Sequence, residues 1–210
     1  MAPIGILALQ GDFAAHGRAL DDLGVPWQLV RTPAELATVA GLIIPGGEST
    51  ALLRLMHAVD LRAALEAFHA QGRPLFGTCA GLILLARETR QPAQESLGFI
   101  DVVVERNAYG RQIDSFIATG TPLVPELGAA PLEMVFIRAP KIIALGEGVT
   151  PLATCRGDVV LARQGSVLVA AFHPELTADR RVHRYFLDMV AAAANTPAAR
   201  PVPERTTPGR

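Results

Sequence analysis

The sequence predicts an α/β fold with a largely parallel central sheet flanked by helices, and three observations predict it. Short apolar runs alternate with longer amphipathic stretches through the first part of the chain, as strand-helix units of a doubly covered sheet require. From about Phe99 the texture changes to short strand-like runs separated by Gly and Pro. Helical spacing then returns near the C-terminus.

In order, the first strands are expected at Ile4 to Leu9, Trp27 to Val30, Leu42 to Pro45 and Pro74 to Phe76. Between them, Ala14 to Leu23 and Ala51 to Phe68 carry Leu, Met, Val and Phe at mixed three and four spacings, which places them on core-facing helices. Gly72, just before Arg73-Pro74, marks a helix end. Later strands are expected at Ile100 to Val104, Glu133 to Ile137, Ile142 to Leu145 and Val167 to Phe172. In Ala178 to Ala194 the residues Val182, Tyr185, Phe186, Met189 and Val190 share one helical face, which closes the domain. Residues 1–194 therefore read as one domain. The stretch 195–210, with four prolines and almost nothing apolar to bury, reads as a disordered tail.

Composition narrows the function classes. Of the 210 residues half are hydrophobic, and 19 Lys+Arg stand against 20 Asp+Glu for a net charge of −1. Without a basic stripe or a cationic amphipathic helix, neither nucleic acid nor an anionic membrane is an expected partner, and a small polar substrate or another protein fits better. The first apolar run has no Lys or Arg before it and a polar stop after it, so it reads as a strand rather than a signal peptide, and no run is long enough to span a membrane. A cytoplasmic location is expected. The two cysteines, Cys79 and Cys155, form no C-x-x-C arrangement, which argues against a disulfide scaffold or a cysteine metal site.

The most informative stretch is Pro74-Leu75-Phe76-Gly77-Thr78-Cys79-Ala80-Gly81-Leu82-Ile83, an apolar strand passing through Gly-x-Cys-x-Gly into an apolar helix. It has the form of a nucleophile elbow with cysteine at the reactive position. The helix N-terminus favours an anion there and offers backbone N–H groups, that of Ala80 included, to an oxyanion. A buried packing cysteine between two glycines is the other reading. Of five histidines, His57, His69 and His183 fall in expected helices among polar neighbours and read as surface or boundary residues, while His16 is left without a role. His173 ends an apolar run and precedes Pro174-Glu175. Because residues i and i+2 of an extended segment face the same way, Glu175 can orient His173 as the base for Cys79. A strand-terminating turn with a solvated carboxylate would use the same residues. In Leu42-Ile43-Ile44-Pro45-Gly46-Gly47-Glu48-Ser49-Thr50 the paired glycines let backbone N–H groups approach a ligand, and Ser49 is placed to cap the next helix.

Together these residues resemble the class I glutamine amidotransferases with a Cys-His-Glu triad. The segments Leu9-Gln10-Gly11-Asp12-Phe13, Ile44 to Thr50, Gly77 to Gly81, Arg106-Asn107-Ala108-Tyr109-Gly110-Arg111-Gln112, Phe136-Ile137-Arg138-Ala139-Pro140 and Phe172 to Thr177 look like signatures of the glutaminase subunits of pyridoxal 5′-phosphate synthase. The likeness covers residues 3–190. It implies a flavodoxin-like three-layer fold with a small additional antiparallel strand region. It further implies that Cys79, His173 and Glu175 hydrolyse L-glutamine through a thioester, and that the N–H groups of Gly47 and Ala80 form an oxyanion hole. Gly47, Glu48, Ser49, Arg106, Ile137 and Arg138 are then expected to bind glutamine. Two arginines suit a free α-carboxylate, although either alone reads as a surface ion pair. The implied partner is a (β/α)₈-barrel synthase subunit, a dodecameric core carrying up to twelve glutaminases, which receives the ammonia. No cofactor and no metal are implied. Lys141, the one lysine, follows Ala139-Pro140 in an expected loop and lacks a Schiff-base setting. A glutaminase of another amidotransferase complex, a cysteine hydrolase on the same fold and a non-catalytic scaffold remain the competing readings.

Overall fold

The computed structural model describes residues 2–106 and 115–195. Four strands of four residues each, all buried, read directly from uninterrupted apolar sequence: β1 (Ile4–Leu7), β3 (Gly41–Ile44), β4 (Leu75–Thr78) and β12 (Val167–Ala170). With β2 (Trp27–Val30) at the edge they form a parallel array in the order β2-β1-β3-β4-β12. Strand alternation splits the helices into two layers. Phe76 of β4 meets His16 on α1 (Phe13–Asp22) and both His183 and Phe186 on α6 (Arg181–Asn195). Its neighbour Gly77 faces α5 (Ala80–Leu85) on the other side.

The sheet does not stop at β12. It continues antiparallel through β11 (Asp158–Gln164), β10 (Thr150–Cys155), β7 (Ser115–Pro122) and β8 (Leu132–Ile137), giving nine strands among the described residues. A separate three-stranded sheet joins β5 (Ala86–Arg90), β6 (Ile100–Glu105) and β9 (Lys141–Leu145). The strand-rich second half thus splits between an extension of the main sheet and a small sheet beside it. Lys141, expected in a loop, begins β9 and pairs with Asp158 at 2.8 Å.

Helix starts follow from their caps. Asp12 accepts from the Ala15 N–H at the head of α1, and Thr32 and Glu35 form a reciprocal capping box on α2 (Pro33–Ala37), with Pro33 in its first turn. The stretch expected as one helix from Ala51 to Phe68 is two, α3 (Ser49–Ala58) and α4 (Leu61–Ala70). Asp60 takes a left-handed conformation between them, φ 52°, which an aspartate tolerates better than most residues and which no helix can pass through. Gly72, φ 71°, follows the end of α4 as expected. The apolar run expected through Phe172 leaves strand geometry after Ala170. Helix α6 includes Asn195, and residues 196–210 lie outside the described part. No helix among the described residues is long and apolar enough to cross a membrane.

Candidate active site

The order of the parallel strands reverses between β1 and β3, so the loops after those two strands diverge and leave a crevice at the carboxyl edge of the sheet, where α/β folds bind ligands. The segments after β1, β3, β4 and β12 all end there. They bring Gln10-Gly11, Gly46-Gly47, Cys79 and His173 together.

Cys79 lies between β4 and α5 with φ 47° and ψ −99°, a strained backbone for a residue with a side chain. Its N–H donates to the Ala170 carbonyl at 2.9 Å, which ties the turn to β12. The flanking glycines are sterically required. A Cβ on Gly77 would lie 2.6 Å from the Gly81 carbonyl carbon, and one on Gly81 would run into the Ile44 carbonyl oxygen. The thiol Sγ lies 3.8 Å from the Ile137 carbonyl. The N–H of Ala80 belongs to the first turn of α5, where N–H groups have no intrahelical acceptor.

His173 is buried at the end of the β12 segment, and its own N–H donates to the Val135 carbonyl at 2.8 Å. Its Nδ1 is 2.8 Å from Glu175 Oε1. Strand alternation does not produce this pair: Pro174–Leu176 is a single 3₁₀ turn, started by the fixed φ of Pro174, and the turn folds Glu175 back onto the ring. Burial works against a charge on His173, but the Cys79 sulfur as acceptor and the carboxylate of Glu175 outweigh it and raise its pKa to about 10. Glu175 moves the opposite way. Its burial is overcome by the hydrogen bond and charge of His173, with the His16 ring on its other side, and the carboxylate stays below its ordinary range. Gly46 completes the cluster, since a Cβ there would strike the His173 ring and lie 3.2 Å from Cys79 Cβ.

A pocket of about 190 Å³ opens above Cys79 and His173. Gly47, Glu48, Ser49, Arg106, Ile137 and Arg138 line it, so every residue expected to bind a substrate reaches one cavity. Gly47 adopts φ 155°, and a Cβ there would strike the Gln10 carboxamide, whose Oε1 accepts from the Glu48 N–H at 2.8 Å. Glu48 caps α3 by accepting from the N–H groups of Thr50 and Ala51. Ser49, expected as that cap, is instead the first helical residue and donates to Gln94 Oε1 at 2.9 Å, because the longer Glu48 side chain reaches the free N–H groups first. Arg106 donates to Thr50 Oγ1 at 3.2 Å and lies 3.8 Å from Glu48. The Asn107 to Gln112 part of its motif lies outside the described residues.

Residues 6–192 match the SNO glutamine amidotransferase family. The chain belongs to that family. It is 52% identical over 190 residues to the pyridoxal 5′-phosphate synthase subunit PdxT of Desulforudis audaxviator, which covers 90% of this chain and all of that one. The PdxT subunit of Thermosipho africanus is 51% identical over 187 residues, 89% of this chain and 98% of its own. A glutamine amidotransferase of known crystal structure superposes with a TM-score of 0.83 at 45% identity, covering 90% of this chain and 98% of that chain. The expected fold, a central sheet between helical layers, is the fold of this family.

Some site residues escaped the sequence. Ile83, one turn into α5, lines the pocket, and Gln94 holds Ser49 and Thr50 from the loop after β5. The larger miss is His183, read as a surface or boundary residue and found fully buried, together with His16. Both stand on the apolar faces of their helices, His16 beside Ala15, Ala19 and Leu20, His183 beside Val182, Phe186 and Val190. Helical spacing carried that signal, and the polar neighbours in sequence obscured it.

Proposed function

We propose that this chain is the glutaminase subunit of a pyridoxal 5′-phosphate synthase, hydrolysing L-glutamine to L-glutamate and ammonia. The observation that carries the reading is the strained Cys79 at the head of α5, with His173 held at 2.8 Å by Glu175, under a pocket reached by two arginines. The α-carboxylate of glutamine pairs with Arg106 and Arg138, and Glu48 faces the α-ammonium. The thiolate of Cys79 attacks the side-chain carboxamide carbon, and the N–H groups of Gly47 and Ala80 take the oxyanion. Imidazolium His173 gives its proton to the departing ammonia as the C–N bond breaks, leaving a γ-glutamyl thioester. Water then adds to the thioester while His173 takes back a proton, and C–S cleavage frees glutamate and the thiol. Ammonia passes to a (β/α)₈-barrel synthase subunit in a cytoplasmic complex of twelve copies of each. The chain itself uses no metal and no cofactor in these steps.

The test is glutamate release by the protein alone, with the synthase subunit, and by Cys79→Ala with the synthase subunit. Partner-stimulated release that vanishes in the variant, with pyridoxal phosphate formed in the same mixture, is expected. Turnover of peptide amides without glutamine turnover would replace the reading with a cysteine hydrolase, and no release from the assembled complex would leave a scaffold.

A further inference from the structure

Glu175 is gripped from two sides, and the triad accounts for one of them. Oε1 takes the Nδ1 of His173. Oε2 makes no hydrogen bond by strict geometry, yet it lies 3.5 Å from Nε2 of His16, and both side chains are wholly shielded from solvent. That same Nε2 is 3.2 Å from Thr78 Oγ1, and on the far side Nδ1 of His16 is 3.0 Å from Nε2 of His183. The Nδ1 of His183 is buried with no partner.

These contacts fix where the protons are. If His16 carried its proton on Nδ1, it would donate to His183, whose own proton would then be a buried N–H on Nδ1 without an acceptor. A bare lone pair on His16 Nε2 would also face the Glu175 carboxylate. The reverse arrangement avoids both costs. His183 donates from Nε2 to His16 Nδ1, and His16 donates from Nε2 toward Glu175 Oε2 and Thr78. The unpartnered atom becomes an acceptor lone pair, which is the cheaper group to leave bare. Burial, aided by His173 and opposed by the Glu175 and Asp12 carboxylates, leaves His16 below its ordinary pKa and so neutral, and burial likewise lowers His183, which also faces Arg180 and Glu175.

We propose that His16 is a positioning residue of the glutaminase site, holding Glu175 by its second oxygen while His183 fixes the tautomer of His16 from behind. The inference rests on the glutaminase reading. Without this second donor the carboxylate is free to turn about its last bond, so Oε1 is no longer aimed at His173 Nδ1. The support for the His173 charge weakens with it. His16 is not among the residues lining the pocket, so its effect falls on the chemical step and spares substrate binding.

The experiment compares His16→Leu with His16→Gln in the assembled synthase complex. For His16→Leu we expect kcat to fall on the order of ten- to a hundredfold, the size of one hydrogen bond to a charged group, with KM for glutamine unchanged. The alkaline limb of kcat/KM should move to lower pH, because a His173 less firmly held by Glu175 gives up its proton sooner. His16→Gln, which restores an N–H near the Nε2 position, should recover most of the rate and the limb. A rate loss without a shifted limb, or no recovery with Gln in a folded protein, would assign His16 a packing role and overturn the proposal. Histidine ¹⁵N NMR of the unmodified chain provides a check independent of folding variants: a proton on Nε2 of His16 is expected, and one on Nδ1 overturns the proposal. If the unmodified complex fails to turn over glutamine, the glutaminase reading fails by itself. The NMR tautomer, and the pH dependence of Cys79 alkylation in His16→Leu, still judge the role of His16.

Discussion

Burying two neutral histidines behind the active site gives this protein a specific weakness to acid. His183 has its pKa pushed down to about 3, chiefly by burial. Its unfolded value is the ordinary 6.5. Between those limits the unfolded chain binds a proton that the folded chain excludes, so stability falls with falling pH by about 1.4 kcal/mol per unit. From pH 6.5 to 4.5 the loss from this residue alone is about 2 kcal/mol, because the unfolded histidine is only half protonated at the upper limit, and that is a large share of the roughly 5–15 kcal/mol that holds a domain folded. His16, also lowered by burial, acts in the same direction. Glu175, depressed to about 2, adds a loss only below its ordinary value near 4.5. His173 acts the other way: raised to about 10, it contributes fully below pH 6.5, and that contribution is lost as pH rises toward 10. Stability should therefore peak near pH 6.5. Urea unfolding followed by circular dichroism at half-unit steps from pH 8 to 4.5 measures this, with His183→Phe as the comparison, since an aromatic ring there keeps the packing against Phe76 and removes the titration. The variant should lose about one proton's worth of slope on the acid side. A wild-type curve flat to within about 1 kcal/mol between pH 6.5 and 4.5, or equal slopes in the two proteins, would refute the reasoning.

Other consequences are local. Gly46→Ala places a methyl group against the His173 ring and Cys79 Cβ, and because a displacement of about 1 Å in a reacting pair costs on the order of a hundredfold, glutaminase turnover should fall by at least that much while circular dichroism stays unchanged. Arg181 donates to the carbonyls of Leu127, Ala130 and Pro131 and pairs with Asp179, so Arg181→Ala should cost about 1–3 kcal/mol by denaturant unfolding, and Lys should not restore it because it lacks the planar fork. Asp60 is left-handed and makes no side-chain cap to α4, so Asp60→Gly should raise stability by up to about 1 kcal/mol, read as a higher melting temperature.

What the sequence made legible is what one residue type dictates locally. Strands β1, β3, β4 and β12 are uninterrupted apolar runs, and Gly77 and Gly81 bracket a cysteine that only such flanks can place on that turn. The six pocket residues were named through their likeness to a family, which encodes spatial proximity that spacing alone cannot. Relations fixed by the fold as a whole were not legible. The left-handed Asp60 interrupts a stretch whose apolar periodicity continues across the break, so the pattern gave one helix where the backbone makes two. His16 and His183 lie 167 positions apart and have meaning only once α1 and α6 share a face of the sheet. The Glu175–His173 contact was expected for the wrong reason, alternation along a strand, and arises from a turn.

Four residues with positive φ meet where chemistry is proposed. Gly11 (φ 101°), Gly47 (φ 155°), Cys79 (φ 47°) and Arg138 (φ 43°) all lie at or beside the one crevice. Non-glycine residues in such conformations cost of order 1–3 kcal/mol each, so something must over-determine them. The supports differ in kind. Cys79 is held by a hydrogen bond to β12 and by α5, whose six residues are all buried. Arg138 follows directly on β8, the strand whose Val135 carbonyl also receives the His173 N–H. A Cβ on Gly11 would strike the Gly46 carbonyl, so the loops after β1 and β3 touch backbone to backbone with no side chain between them to yield. Cys79, His173 and the Gly11 and Gly47 loops are thus anchored to different buried strands of one sheet, and relaxing any one of them requires moving a neighbouring strand. A pocket whose parts cannot relax independently keeps Cys79, His173 and the oxyanion donors in register before substrate arrives, which is the condition for electrostatic stabilisation without reorganisation at the moment of reaction.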